Sequence, residues 1–145
     1  MSTEFAIDSE HGLVVSWGTG VFGHADYLEH MERLGREAGF KPELNHLVDC
    51  RGFDAFNLTA GQLQDLGQRS IFAANSRRAF VVASQLQYGL SRMFASYREV
   101  RSGQTTMVFR TVPEALRWLD LPDDYDLDAV SHHASGPEPG DAAKG

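Results

Sequence analysis

Residues 79–83 of the chain read AFVVA, an apolar run without a polar interruption. A strand that is covered on both faces has this composition, and such strands are typical of parallel sheets. The next segment carries apolar side chains at helical spacing, at Leu86, Leu90, Met93, Phe94 and Tyr97. A buried strand followed by an amphipathic helix predicts one strand–helix unit of an α/β protein.

The same alternation extends outward in both directions. Further strand-like runs occupy residues 5–7, 13–17, 47–50 and 106–109, and further helical patterns begin near residues 25, 59 and 111. Turn-forming residues between the first two strands predict an antiparallel hairpin, and strands separated by helices predict parallel pairing. The order β-β-α-β-α-β-α-β-α therefore predicts an α/β fold. We expect a mixed, mostly parallel sheet of about five strands, with an antiparallel N-terminal strand and about four helices.

The length of 145 residues suits one domain. We predict a folded domain over residues 1–122 and an acidic tail over residues 123–145, whose Gly, Pro, Ser and Ala content predicts disorder. The segment from Asp120 onward contributes −6 of the net charge of −7. The remainder is nearly neutral, which argues against nucleic acid as the main partner.

Other bulk features exclude several classes of protein. The apolar runs are far shorter than a membrane span, and the N-terminus MSTEF has no export signal, so the expected location is the cytoplasm. The single cysteine, Cys50, excludes an intrachain disulfide and a cysteine-based zinc cluster. Cys50 itself is expected to be a buried, inert thiol.

The segment Gly18–Gly23 reads GTGVFG, the spelling of a dinucleotide-binding fingerprint. That motif requires an acidic residue about 20 residues further on, at the end of the next strand. Here the residue at that strand end is Asp49, 31 residues after Gly18. We therefore interpret the segment as a glycine-rich turn before the first helix, and we expect no dinucleotide or other cofactor.

The remaining chemical residues form no recognisable catalytic or metal-binding pattern. His24 and His30 lie six residues apart, so they do not share a helical face as a ligand pair would. Asp49 and Arg51 are two apart near a strand end and are expected to form a structural ion pair. The pair Arg77-Arg78 is expected to precede its strand. The sequence predicts a protein that is not an enzyme.

Three spaced segments carry a family resemblance: LVDCRGFDAFNLTAGQL (47–63), SRRAFVVASQLQYGLSRMF (76–94) and VFRTVPEALRWL (108–119). They resemble the SpoIIAA-like family of small bacterial domains, which is related to STAS domains and more remotely to SEC14-type lipid-binding proteins. The resemblance covers roughly residues 5–120. It implies a binding or regulatory module without catalytic activity.

Thr59 has two interpretations. In the anti-sigma antagonists among the STAS relatives, a phosphorylated serine begins the second helix, and the matching segment here is Asn57–Gly61. The acidic residue of that motif is replaced by Asn57. The residues alone favour a helix cap instead, with Thr59 and Gln62 forming a capping box and Leu58 packing on Leu63 as a hydrophobic staple.

The carboxyl ends of the strands are the expected working surface, because open α/β sheets bind ligands there. Phe22, Phe53, Phe56 and Thr59 form a candidate partner or ligand rim at these ends, with Trp17 and Met93 as candidate apolar lining. Two functions stay open. One is a regulatory module that acts through protein contacts and forms a homodimer; the other is a carrier or sensor of a small apolar, lipid-like molecule.

Overall fold

The computed structural model describes residues 2–102 and 105–135 of the chain. Over these residues it contains six strands and five helices. The strands are β1 (Ser2–Asp8), β2 (Leu13–Gly23), β3 (Asn45–Asp49), β4 (Phe53–Asn57), β5 (Arg77–Val81) and β6 (Thr105–Phe109). The helices are α1 (His24–Gly35), α2 (Ala60–Gly67), α3 (Gln85–Ser102), α4 (Val112–Trp118) and α5 (Leu127–Ser135). None of these helices is long and apolar enough to cross a membrane.

The sheet has the order β1-β2-β3-β5-β6. The β1–β2 hairpin is antiparallel, and the pairs β2–β3, β3–β5 and β5–β6 are parallel. This topology confirms the predicted mixed, mostly parallel sheet with an antiparallel N-terminal strand. The run at residues 79–83 supplies most of β5, between β3 and β6, as its apolar composition requires.

Helices cover both faces of the sheet. Alternate strand residues, including Leu13, Leu47 and Ala79, pack on one face against Ala115 and Leu127 of α4 and α5. The opposite face packs against α1, α2 and α3, with the buried side chains Tyr27, Leu63, Leu66, Phe80 and Phe94 in its core. The molecule is therefore a three-layer α/β/α domain.

The Gly18–Gly23 segment is a strand, and the predicted turn is wrong. β2 continues through it, and its last part pairs in parallel with β4, a strand that is absent from the predicted order of elements. Gly20 has φ +81° at the point where this pairing shifts register, which explains a glycine there. A Cβ at Gly18 would lie 2.6 Å from the Phe53 ring and would also clash with the Ser2 carbonyl. The glycines thus permit close strand and ring packing.

The region after Leu121 also differs from the prediction. The expected disordered tail begins at residue 123, but α5 spans Leu127–Ser135, and Leu127 is 4% exposed in the core. Asp126 begins this helix by accepting a hydrogen bond from the Ala129 N–H at 3.1 Å. Two apolar residues, Leu127 and Val130, are enough to dock a short helix on the sheet. The part of the predicted tail from residue 136 lies outside the described residues.

Candidate functional site

A row of polar side chains crosses the sheet on the face beneath α1, α2 and α3. In the aligned register, His46 of β3 pairs with Arg78 of β5, and Arg78 pairs with Thr106 of β6. All three are buried, with exposed fractions of 1%, 0% and 3%. Side chains in equivalent positions of neighbouring parallel strands lie on the same face. Arg78 therefore lies within β5 and inside the protein, and the prediction that it precedes the strand is wrong.

Ser16 of β2 connects two histidines inside this layer. Its Oγ lies 2.8 Å from Nε2 of His30, on α1, and 2.8 Å from Nε2 of His46. A serine hydroxyl carries one hydrogen, so it donates to one imidazole and accepts from the Nε2–H of the other. Within the described part of the chain, the Nδ1 atoms of both histidines have no hydrogen-bond partner. One of them is therefore an unpartnered N–H donor and the other an unpartnered acceptor.

Both histidines are held neutral. Burial lowers the pKa of His30 to about 4, and the positive charges of Arg33 and Arg78 add to the effect. Burial likewise holds the pKa of His46 well below its usual range, with further contributions from Arg78 and His30. A buried imidazole beside a guanidinium loses its proton because the charged form would be desolvated and repelled.

Arg78 is the most unusual residue of the layer. Its Nη1 donates to the Tyr27 hydroxyl at 3.1 Å, while Nε and Nη2 have no hydrogen-bond partner. The guanidinium carbon lies 5.3 Å from the Phe72 ring centroid and 5.5 Å from that of Phe94. No carboxylate among the described side chains pairs with it.

The contacts of Arg78 are with two aromatic rings and one hydroxyl. Removing an ion from water costs several kcal/mol even after relaxation. Each desolvated cation–π contact returns about 2 kcal/mol, and the hydrogen bond from the charged guanidinium returns about 1.5–3 kcal/mol. The second buried arginine, Arg98, has carbonyl acceptors, because its Nη1 donates to the Gly67 carbonyl at 2.8 Å and to the Arg69 carbonyl at 3.3 Å, at the end of α2. Among the described residues Arg78 is thus a buried cation without an anion, and two of its nitrogens have no acceptor.

A cavity of about 50 Å³ lies beside this layer, between α1 and the sheet. We call it the chamber. Its polar border includes Thr3 and a group that we call the polar cluster: Ser16, Tyr27, His30, His46 and Arg78. Its apolar border includes Trp17, Phe22, Val48, Phe53 and Phe56. The chamber is therefore bordered both by an aromatic wall and by Arg78, whose Nε and Nη2 have no partner among the described residues.

A second cavity of about 40 Å³ lies next to the chamber, toward α2 and α3. Both cavities share Phe22, Tyr27 and Phe56 in their walls, so these rings separate them. The second cavity is otherwise bordered by apolar side chains such as Leu63, Leu90 and Phe94 and by the Ser91 side chain.

Comparison with known proteins shows which known fold this architecture resembles. No protein-family model matches the sequence, and no curated protein does. Among solved structures, the chain is similar to an uncharacterized protein of the DUF3478 family from Shewanella loihica PV-4, which has a SpoIIAA-like fold. The identity is 25% over 81% of this chain and 94% of the other, with a TM-score of 0.54. The chain has a SpoIIAA-like fold. The resemblance carried by the three sequence segments is thereby confirmed.

In this SpoIIAA-like domain the predicted aromatic rim is turned inward. Phe53 is buried, Phe22 and Phe56 are half-buried, and the three ring centroids lie 5.0–6.0 Å apart. Two of the ring pairs are edge-to-face and the pair Phe22–Phe53 is tilted, both usual for packed aromatic side chains. The rings form a wall of the chamber and part of the core, and their role as a partner or ligand rim stays a prediction.

Thr59 is exposed at the start of α2 and forms the predicted capping box. Its Oγ1 accepts from the Gln62 N–H at 3.1 Å, and Gln62 Oε1 accepts from the Thr59 N–H at 3.0 Å. Leu58 and Leu63 belong to the same apolar cluster, as a hydrophobic staple requires. Helix initiation accounts for this segment. A role as phospho-acceptor stays a prediction.

The two candidate lining residues have different positions. Trp17 borders the chamber, and it also packs against the core on the α4 side. Met93 lies on α3 with 38% of its surface exposed, and it borders neither cavity. Met93 lies outside both cavities because the apolar stripe of α3 that faces the sheet runs through Phe94 and Leu90. A role of Met93 as lining stays a prediction.

Other predicted residues serve the framework. Arg51 donates to both carboxylate oxygens of Asp49 at 2.8 Å, as expected for a structural ion pair. Cys50 is 2% exposed, and burial raises the pKa of its thiol. Buried Gln87 donates to the Cys50 and Phe53 carbonyls and so joins the start of α3 to β4. Among the described residues there is no group of three or more His, Cys, Asp or Glu side chains that could hold a metal ion.

Proposed function

We propose that the domain is a non-catalytic binding module that holds a small, mainly apolar ligand in the chamber. The observation that carries the proposal is the chamber itself. Phe22, Phe53, Phe56 and Trp17, the aromatic residues expected to meet a ligand, border a single cavity. Ligand sites are concave, mostly apolar and supplied with a few converging polar groups, and this cavity has that composition.

The size of the chamber limits the ligand. About 50 Å³ holds several water molecules or a molecule of a few heavy atoms, and the adjoining cavity adds about 40 Å³. A drug-sized ligand requires several hundred Å³. The proposed ligand is therefore short, and a longer chain needs movement of the shared rings Phe22 and Phe56.

The polar cluster favours binding over catalysis. A serine beside a histidine is one half of a hydrolytic triad, but the triad also needs a carboxylate that orients the histidine through Nδ1. Nδ1 of both His30 and His46 is without a partner in the described part of the chain. Ser16 is also held between two imidazoles, so its single proton is already committed.

The second candidate function is a regulatory module that acts through protein contacts. The homodimer and the cytoplasmic location also stay predictions. The expected apolar rim of the regulatory module is folded inward, so the remaining support for this candidate is the exposed Thr59. Pull-downs with Thr59 variants test this candidate.

NMR titration with a neutral probe, 1-butanol, tests the proposal. We expect saturable shifts of the methyl signals of Val48 and Met31, which both border the chamber. Val48→Phe fills the space and should abolish the shift of the Met31 methyl signal. The matched control is Val108→Phe, which adds the same ring on the same face of the sheet but away from the chamber, and it should leave binding intact. Equal responses of all three proteins, or no saturation in the wild type, would refute the proposal.

A further inference from the structure

Arg78, which borders the chamber, has a preorganised edge without a partner among the described residues. Nε and Nη2 stand on the same side of the planar guanidinium, and their N–H groups point in one direction. This edge matches the two oxygens of a carboxylate and binds them through two parallel hydrogen bonds. The third nitrogen, Nη1, is already held by Tyr27 at 3.1 Å, which fixes the plane of the group.

The charge balance around the chamber favours a single negative charge. Arg78 is the cation of the polar cluster, and the two histidines beside it are neutral. A monoanion neutralises this one charge, whereas a phosphate carries up to two charges and three strong acceptor oxygens. The unpartnered Nδ1–H of one histidine supplies a further donor in the same layer.

We propose that the chamber binds a short-chain monocarboxylate, whose carboxylate takes the Nε–Nη2 edge of Arg78. The inference rests on the proposed function and specifies its ligand class. The alkyl chain contacts the aromatic wall of Phe22, Phe53 and Phe56, and the adjoining cavity accommodates its end. The carboxylate thus provides the anionic partner that Arg78 lacks among the described residues, and the alkyl chain fills the chamber with apolar atoms.

Butyrate and 1-butanol provide the test, because they share a chain length and differ in the head group. We expect butyrate to bind the wild-type protein at least about tenfold more tightly, since hydrogen bonds to a charged group contribute that much. Arg78→Met should remove this preference while 1-butanol still binds. Arg77→Met removes the same charge from the exposed neighbour on β5 and should preserve the preference.

Each contrary outcome has a distinct meaning. Equal binding of butyrate and 1-butanol would overturn the carboxylate inference and leave the proposed function standing. Absence of binding by both would overturn the two together. Inorganic phosphate that competes as well as butyrate would overturn the assignment to a carboxylate.

A variant that retains the charge provides a second test in case Arg78→Met does not fold. Arg78→Lys keeps the positive charge but loses the two-pronged edge. We expect it to bind butyrate more weakly than the wild type and more tightly than Arg78→Met. Retention of full affinity by Arg78→Lys, or by a folded Arg78→Met, would overturn the role of the edge. The comparison of the two probes in the wild-type protein requires no variant.

Discussion

Leu127→Ala should destabilise the domain, although this residue lies in the segment that composition assigns to a disordered tail. Leu127 is 4% exposed and packs with Leu13, Leu116 and Leu119. Removing a buried leucine side chain costs about 2–5 kcal/mol when the surroundings cannot relax. α5 contacts this core through only Leu127 and Val130 among its described residues, so it can undock, and the loss then stops at the free energy of docking. We therefore expect the lower end, about 2 kcal/mol.

Chemical and thermal unfolding followed by circular dichroism measure this change. A loss of about 2 kcal/mol lowers the melting temperature by roughly 8 °C in a domain of this size. Ala129→Ser alters an exposed position of the same helix and should change stability by less than about 0.5 kcal/mol. Removal of residues 127–145 should cost at least as much as Leu127→Ala. Unchanged melting of both Leu127→Ala and the truncated protein would show that α5 does not dock and would refute the reasoning.

Three further predictions concern α2 and the buried histidines. Thr59→Ala should lower the free energy of unfolding by about 0.5–2 kcal/mol and Thr59→Asp should leave it almost unchanged, because aspartate also caps a helix. Pull-downs from host lysate with Thr59→Ala, Thr59→Asp and Thr59→Ser should return identical partners. A partner that fails to bind only Thr59→Asp would support the phospho-switch. Gly67→Ala should destabilise the domain by about 1–3 kcal/mol in urea unfolding, because the new Cβ would lie 2.6 Å from Tyr97 Cβ. The control is Gly61→Ala, whose Cβ meets no atom within 4 Å and which should be neutral or stabilising. Equal effects of the two changes would contradict the packing of α2 on α3. In the folded protein the pKa of His30 is lowered from 6.5 to about 4, so the unfolded chain binds more protons between these two pH values. Stability should therefore fall as the pH drops through this window, by up to about 1.4 kcal/mol per pH unit. His30→Gln should show a shallower fall between pH 6.5 and 5, and an unchanged slope would contradict a neutral, buried imidazole.

The sequence predicts the framework well because its signals there are local. The apolar run at residues 79–83 indicates a covered strand, and the capping box at Thr59 indicates the start of α2. β4 escapes prediction because Asp54 and Asn57 are poor strand formers and its partner is the glycine-rich end of β2. The hydrogen bonds to β2 stabilise β4 as a strand although its own residues have low strand propensity. α5 escapes because two apolar residues in an acidic segment give no clear helical period.

The polar cluster depends on contacts between residues distant in sequence. Ser16, His30 and His46 come together only when β2, β3 and α1 are in place. One signal could have indicated it: His46 and Arg78 each stand directly before the apolar run of a predicted parallel strand. Extending both strands by one residue places the two side chains in register on one face, as observed. Sequence alone gives no reason to extend them, because charged residues usually mark strand ends.

The Nε–H resonance of Arg78 offers the most direct test of the binding account. Two-dimensional ¹H–¹⁵N NMR detects this group, and its loss in Arg78→Lys assigns it. We predict that butyrate shifts the resonance saturably while 1-butanol leaves it nearly unchanged, because a new hydrogen bond forms only with the carboxylate. An Nε–H signal that stays fixed while butyrate saturates the Val48 methyl shifts would place the carboxylate elsewhere and contradict the account.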